Sequence, residues 1–216
     1  MIDTTIHWGE YSIHEPVTVF TDYIITLLCF FFNFKLRKTN TESSVKNWNR
    51  FFLFFGLSTF LAGCAHGFFE IKEGIEFKSV WLTGQLLSII STYGAQQATL
   101  NSVLQHYDKK NYWNLSYKLQ LLTFSIAVFI FHNFLVVIVN TTLGLIPVMV
   151  FHFMDRKKTK AHGLIAYGIL ISFLTAAVNG LKLSLHNYFN YKDIAHVLIM
   201  ISLFVMYKGI KQKAIH

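Results

Sequence analysis

The fold class this sequence predicts is all-α: a polytopic membrane protein built as a seven-transmembrane-helix bundle, amino terminus outside and carboxyl terminus cytoplasmic. Three observations predict it. The first is composition: 53% of the 216 residues are hydrophobic and 14% charged, whereas a soluble domain has about 25% charged residues. The second is the form of the apolar segments, continuous runs of about 20 residues, the length that crosses a bilayer as a helix. Continuous rather than alternating runs favour helices over a barrel, the two structures that satisfy every backbone amide in lipid. The third is charge. Fifteen of the 19 Lys and Arg residues lie in four clusters, Lys35 to Arg50, Lys109 to Lys118, Arg156 to Lys160 and Lys208 to Lys213. Basic loops stay cytoplasmic, and four rich loops alternating with poorer ones require an odd number of spans, for which seven fits.

In order, helix 1 is expected over 17–36, following Pro16, with the basic stretch after Leu36 holding its inner end. Helix 2 is expected over 51–69, where Gly63 and Gly67 make a GxxxG face suited to close helix approach. Helix 3, over 79–104, is the most polar, carrying Gln85, Ser88, Ser91, Thr92, Gln96, Gln97 and Asn101. Helices 4 and 5, over 116–131 and 133–154, meet at His132–Asn133 with almost no loop. Helix 6 is expected over 162–185 and helix 7 over 191–207, all within one domain spanning 1–216. Cys29 and Cys64 fall inside apolar runs and behave as small buried groups. The net charge of +8 lies beside the spans, which fits anionic lipid head groups and not nucleic acid. The first fifteen residues carry Asp3, Glu10 and Glu15 without Lys or Arg, so no secretory signal peptide is expected. Helix 7 has no lysine between Lys192 and Lys208, which argues against a retinal Schiff base.

Ionisable side chains within a span are costly and mark function. Asp22, His66, Asp193 and His196 all fall within roughly 10 Å of the outer boundary at 1.5 Å rise per residue. Asp193 and His196 share a helix face, as do His66 and Glu70, and Thr18 and Asp22. Glu15 lies just above Asp22, and His186, Asn187 and Asn190 cap the layer from the connection between helices 6 and 7. Imidazole and carboxylate are ordinary zinc ligands, so His66, His196 and Asp22, or His186 as a third imidazole, are candidate ligands. Asp22 is also a candidate general base, and Asp193 orients His196 in that scheme. The same residues make an interhelical hydrogen-bond network equally well, with Asp193 capping helix 7. His106, His152 and His162 lie near ends or loops.

A helix 2 histidine and a helix 7 histidine on the side bearing the amino terminus resemble the seven-helix membrane hydrolase superfamily. That superfamily includes alkaline ceramidases, progestin and adiponectin receptors and hemolysin III-like proteins. The resemblance implies zinc held by histidines, with His66 and His196 at matching positions, and hydrolysis of a lipid amide or ester in the outer third of the membrane. Lys192 stands four residues before His196 and Ala62 four before His66, and helix 3 has no Asp, so the superfamily's full ligand pattern is absent. The segments HEPVTVFTDY (14–23) and YFNYKDIAHVLIMISLFVMYKG (188–209) are more similar to an uncharacterised bacterial seven-helix family. That similarity implies a characteristic set of Glu15, Asp22, Asn190, Asp193 and His196 in a multi-pass protein of the bacterial inner membrane. Two expectations follow. One is a metal-dependent lipid hydrolase with Asp22 and Asp193 in catalytic roles and Glu15, Glu70, His186 and Asn190 around them. The other is a non-catalytic transporter or receptor whose polar helix 3 lines a pathway. Polar residues through the full depth of helix 3 favour the second, and a narrow outer layer favours the first.

Overall fold

The computed structural model describes residues 5–9, 11–38, 42–69, 74–186 and 189–215. Among the described residues, seven helices follow a short hairpin: β1 (Ile6–Trp8), β2 (Tyr11–Ile13), α1 (Pro16–Arg37), α2 (Ser43–Gly67), α3 (Ile75–Leu100), α4 (Lys110–Phe131), α5 (Leu135–Met154), α6 (Lys160–Leu181) and α7 (Tyr191–Ile215). Five of them, α1, α4, α5, α6 and α7, are long and apolar enough to cross a membrane. Much of their apolar surface faces outward. On α4 the exposed residues include Leu119, Leu122, Ile126, Phe129 and Ile130, while Tyr117 and Val128 are buried. Exposed apolar surface of that extent suits lipid and not water. The protein is a polytopic, all-α membrane protein.

The hairpin was not expected. It pairs Ile6 with Ile13, His7 with Ser12 and Trp8 with Tyr11, with Gly9 at φ +61° in its turn, and three-residue strands are too short to leave an alternating pattern. The His14 backbone amide donates to the Gly67 carbonyl at 3.1 Å, which ties the chain entering α1 to the end of α2.

Helix ends differ from the sequence expectation where polar residues extend a helix beyond its apolar run. α2 begins at Ser43 rather than 51, and α7 runs through Lys208, Lys211 and Lys213 to Ile215. α4 likewise begins at Lys110, and α3 occupies Ile75–Leu100, four residues earlier than expected at each end. α6 stops at Leu181 because Lys182 adopts a left-handed conformation, φ 50°. His132, φ 49°, stops α4 in the same way, and the Asn133 side chain accepts the Leu135 amide at 2.9 Å to start α5.

Glycine sets the closest approaches. A Cβ on Gly56, Gly63 or Gly67 would come within 2.9 Å of Cys29, 2.8 Å of Tyr23 and 2.8 Å of Val19 respectively. The glycine face of α2 therefore seats α1 antiparallel. A Cβ on Gly168 would run into Met206 Cγ and come within 2.9 Å of the Ser202 carbonyl, so α6 and α7 are equally close. The apolar core between α1, α2 and α7 includes Phe32 stacked on Tyr207 at 4.3 Å. α1 also packs along α7 in parallel, and this brings the beginnings of those two helices to the same end as the end of α2.

Candidate functional site

Two residues one turn apart on α1 meet two residues one turn apart on α7. Thr18 donates to Asp193 Oδ1 at 2.9 Å, and Thr21 Oγ1 lies 2.7 Å from His196 Nδ1. Asp22, the next residue on α1, places Oδ1 3.5 Å from His196 Nε2. Its second oxygen, Oδ2, has no hydrogen-bond partner among the described residues and is buried. Asp22 and Asp193 are only 2% and 0% exposed.

The Thr21 hydroxyl restricts where protons reside. It lies 3.0 Å from the Val17 carbonyl and 2.9 Å from the Thr18 carbonyl, both available acceptors for its single hydrogen. With that hydrogen spent on a carbonyl, Thr21 accepts from His196 Nδ1–H. A neutral His196 then turns a lone pair on Nε2 towards a carboxylate oxygen, and a proton between the two is what makes the contact favourable. Asp22 and His196 form a natural one-proton pair.

Asp193 has a different duty. Asn190 precedes α7 and Asp193 is its third residue. The Asn190 amide donates to Asp193 Oδ2 at 2.8 Å, and the Lys192 amide donates to Asn190 Oδ1 at 2.9 Å. This reciprocal arrangement is a capping box. Asp193 thus takes part in capping α7 from its third position, with Asn190 as the cap residue, and its carboxylate is held also by Thr18.

Glu15, just before α1, closes the site. Its Oε2 accepts from Lys192 Nζ at 2.7 Å and lies 3.0 Å from His66 Nδ1, joining the start of α1 to α2 and α7. Glu15 takes a left-handed conformation, φ 45° and ψ 53°, which costs a non-glycine residue on the order of 1–2 kcal/mol. Strain of that kind concentrates at functional sites. Burial pushes the Glu15 carboxyl up, but hydrogen bonds from His66 and Lys192, with the charge beside them, outweigh it. The carboxyl is held well below the usual carboxylate range. Trp81 of α3 packs edge-on against the His66 ring, with centroids 5.9 Å apart.

The structure thus brings together Glu15, Asp22, His66, Asn190, Asp193 and His196. His186 is exposed in the α6–α7 connection, where it forms a backbone bridge to Phe189. Glu70 and Asn187 lie outside the described residues. Among the described residues no three His, Cys, Asp or Glu side chains are grouped to hold a metal. The Lys192 ammonium already occupies the Glu15 oxygen, a poor neighbour for a second cation.

A second polar array runs along α3. Gln85, Ser88, Ser91, Thr92, Gln96 and Thr99 are all buried. Gln96 donates to Gln120 of α4 at 2.9 Å, and Gln120 donates to the Asn140 side chain of α5 at 3.0 Å. Both amide atoms of Gln85 and the Asn140 amide nitrogen have no partner among the described residues. At the far end, Thr99 Oγ1 lies 3.5 Å from His152 Nε2, and His152 Nδ1 lies 2.9 Å from His162 Nδ1. In sequence these two histidines stand near helix ends, where a histidine carries little signal. The available signal was symmetry, since each lies three residues from the 155–159 turn and opposite its partner in an α5–α6 hairpin.

A family model described as a family of unknown function, DUF6962, matches residues 17–215. The chain belongs to that family. No curated protein and no solved structure matches it. The DUF6962 match takes in all seven helices, with Asp22, His66, Asp193 and His196 inside its bounds and Glu15 just before them.

Proposed function

We propose that the protein is a multi-pass transport protein of the cell membrane that carries protons between the α1–α2–α7 cluster and the opposite end of the bundle. The observation that carries this reading is the burial of polar side chains along α3 from Gln85 to Thr99. Fourteen residues at 1.5 Å each make about 21 Å, most of a hydrocarbon core of about 30 Å. A lipid hydrolase needs polar groups only in one layer. A pathway needs them in depth.

The Asp22–His196 pair supplies a proton-binding group at one mouth, and intramembrane carboxylates and imidazoles commonly serve proton relays. Glu15, His66 and Lys192 form a charged rim over it. The seam is tightly packed as it stands: a Cβ on Gly144 would run into Thr92. Proton passage therefore requires side-chain rearrangement or water entry along α3. The basic clusters support a rim on the outer side and an α5–α6 turn in the cytoplasm, with the seven helices spanning a bacterial inner membrane. Membrane lipids are its immediate partners. The superfamily resemblance to ceramidases rests on His66 and His196, and their engagement with Glu15 and Thr21 supports the transport reading over the hydrolytic one.

The test is purified protein in liposomes with an internal pH dye and an imposed potassium-diffusion potential. Protein-containing vesicles should acidify or alkalinise faster than empty ones, in the direction the potential dictates. Rates equal to those of empty vesicles, together with cleavage of a ceramide or ester lipid, would reverse the assignment in favour of the hydrolase.

A further inference from the structure

We propose that His152 and His162 form a second proton-binding pair, the terminal of the α3 seam at the end opposite Asp22 and His196. This rests on the transport reading and adds the site at which the proton leaves or enters on the basic side.

The two rings belong to α5 and α6, and their Nδ1 atoms are 2.9 Å apart. Two ring nitrogens at that distance need one hydrogen between them, because two lone pairs or two N–H groups facing each other repel. Thr99 decides which ring holds it. Its hydroxyl donates to the Ala95 carbonyl at 3.0 Å, so it faces His152 Nε2 as an acceptor, at 3.5 Å. His152 is then protonated on Nε2 and accepts on Nδ1, and His162 donates from Nδ1. His152 is 0% exposed and His162 8%, with Trp48 edge-on to His152 at 6.2 Å.

The consequence is an asymmetric site. His162 takes up a further proton on Nε2 without losing the Nδ1–H···Nδ1 bond. His152 gains one on Nδ1 only by breaking it. The joined pair therefore carries one excess proton, and a second one separates α5 from α6. The charged groups acting on the pair are Lys213 from α7 and Asp155 and Lys158 from the α5–α6 turn. Asp155 is buried and paired with Lys158 at 2.8 Å. A proton arriving on the basic side thus binds His162 Nε2, the Nδ1 hydrogen of His162 passes to His152 Nδ1, and His152 releases its Nε2 hydrogen towards Thr99. No covalent bond between heavy atoms changes, and each ring ends neutral in the opposite tautomer, from which the same steps run in reverse.

The test has two readouts. Nitrogen-15 NMR of the histidine-labelled wild type in bilayers should show a scalar coupling between the two Nδ1 nuclei through the shared hydrogen. Liposome flux should fall at least tenfold in His152→Gln and in His162→Gln, while both remain monodisperse in detergent. Wild-type flux retained in either folded variant would overturn the relay. Absence of the coupling, with two rings titrating independently, would overturn the pair, and it decides the matter even if the variants do not fold. Coupling present in a wild type that moves no protons would instead dismiss the transport reading, leaving the pair as a helix–helix tie and the relay refuted.

Discussion

Thr18 and Asp193 are joined by a 2.9 Å hydrogen bond across a sequence separation of 175 residues. The same separation recurs one turn further on, between Thr21 and His196. Two contacts with identical offset fix the parallel register of α1 and α7, and that register is what sets Asp22 opposite His196.

Thr18→Val should therefore weaken the α1–α7 contact directly. Polar contacts between membrane helices average about 0.6 kcal/mol and reach about 1.7. Asp193→Asn should cost more, because it disturbs the capping box at Asn190 as well. Thermal unfolding in detergent of both single variants and the double variant measures the coupling. Fully additive losses would show that the bond does not act as a unit.

Close glycines give a second expectation. Gly168→Ala drives a methyl group against the Ser202 carbonyl and the Met206 amide, both 2.9 Å away. Backbone cannot yield as a side chain does, so a loss of about 1–3 kcal/mol is expected. Gly180, with nothing within 4 Å of its would-be Cβ, is the control: alanine there should be neutral or stabilising by up to about 1 kcal/mol. Equal behaviour of the two in a detergent melt would contradict the described α6–α7 packing.

Acid sensitivity comes from Glu15. Its carboxyl is lowered in the folded protein from an ordinary value of 4.5. A depressed folded pKa contributes stability that is complete above the unfolded value and is lost as pH falls through the folded one. The melting temperature should therefore carry an acid limb that begins below about pH 4.5, and Glu15→Gln should flatten that limb while lowering stability at pH 7 by on the order of 1 kcal/mol, modest because the carboxyl is partly solvated. An unchanged limb in the variant would show that Glu15 is not its source.

Much of this was legible in the sequence, for definite reasons. Continuous apolar runs and basic clusters reveal helices because lipid imposes length and charge rules on each helix separately. Asp22, His66, Asp193 and His196 stood out because an ionisable group in an apolar run is locally anomalous. The α3 seam was visible as polar residues, but its cross-links were not. Gln96, Gln120 and Asn140 meet only through the packing of three helices, and no local pattern encodes that. His152 and His162 escaped because each sits at a helix end, where a histidine is unremarkable alone. Helix ends such as Ser43 and Ile215 escaped because a helix continuing into water loses its apolar signal while keeping its hydrogen bonds.

The most direct measurement is proton flux in liposomes carrying Asp22→Asn beside the wild type, at matched reconstitution and with both proteins verified as folded. The asparagine keeps the size but cannot exchange a proton at Oδ1. The wild type should conduct and the variant should fall at least tenfold towards empty vesicles. Equal flux in the two would contradict the assignment of the Asp22–His196 pair as the proton site.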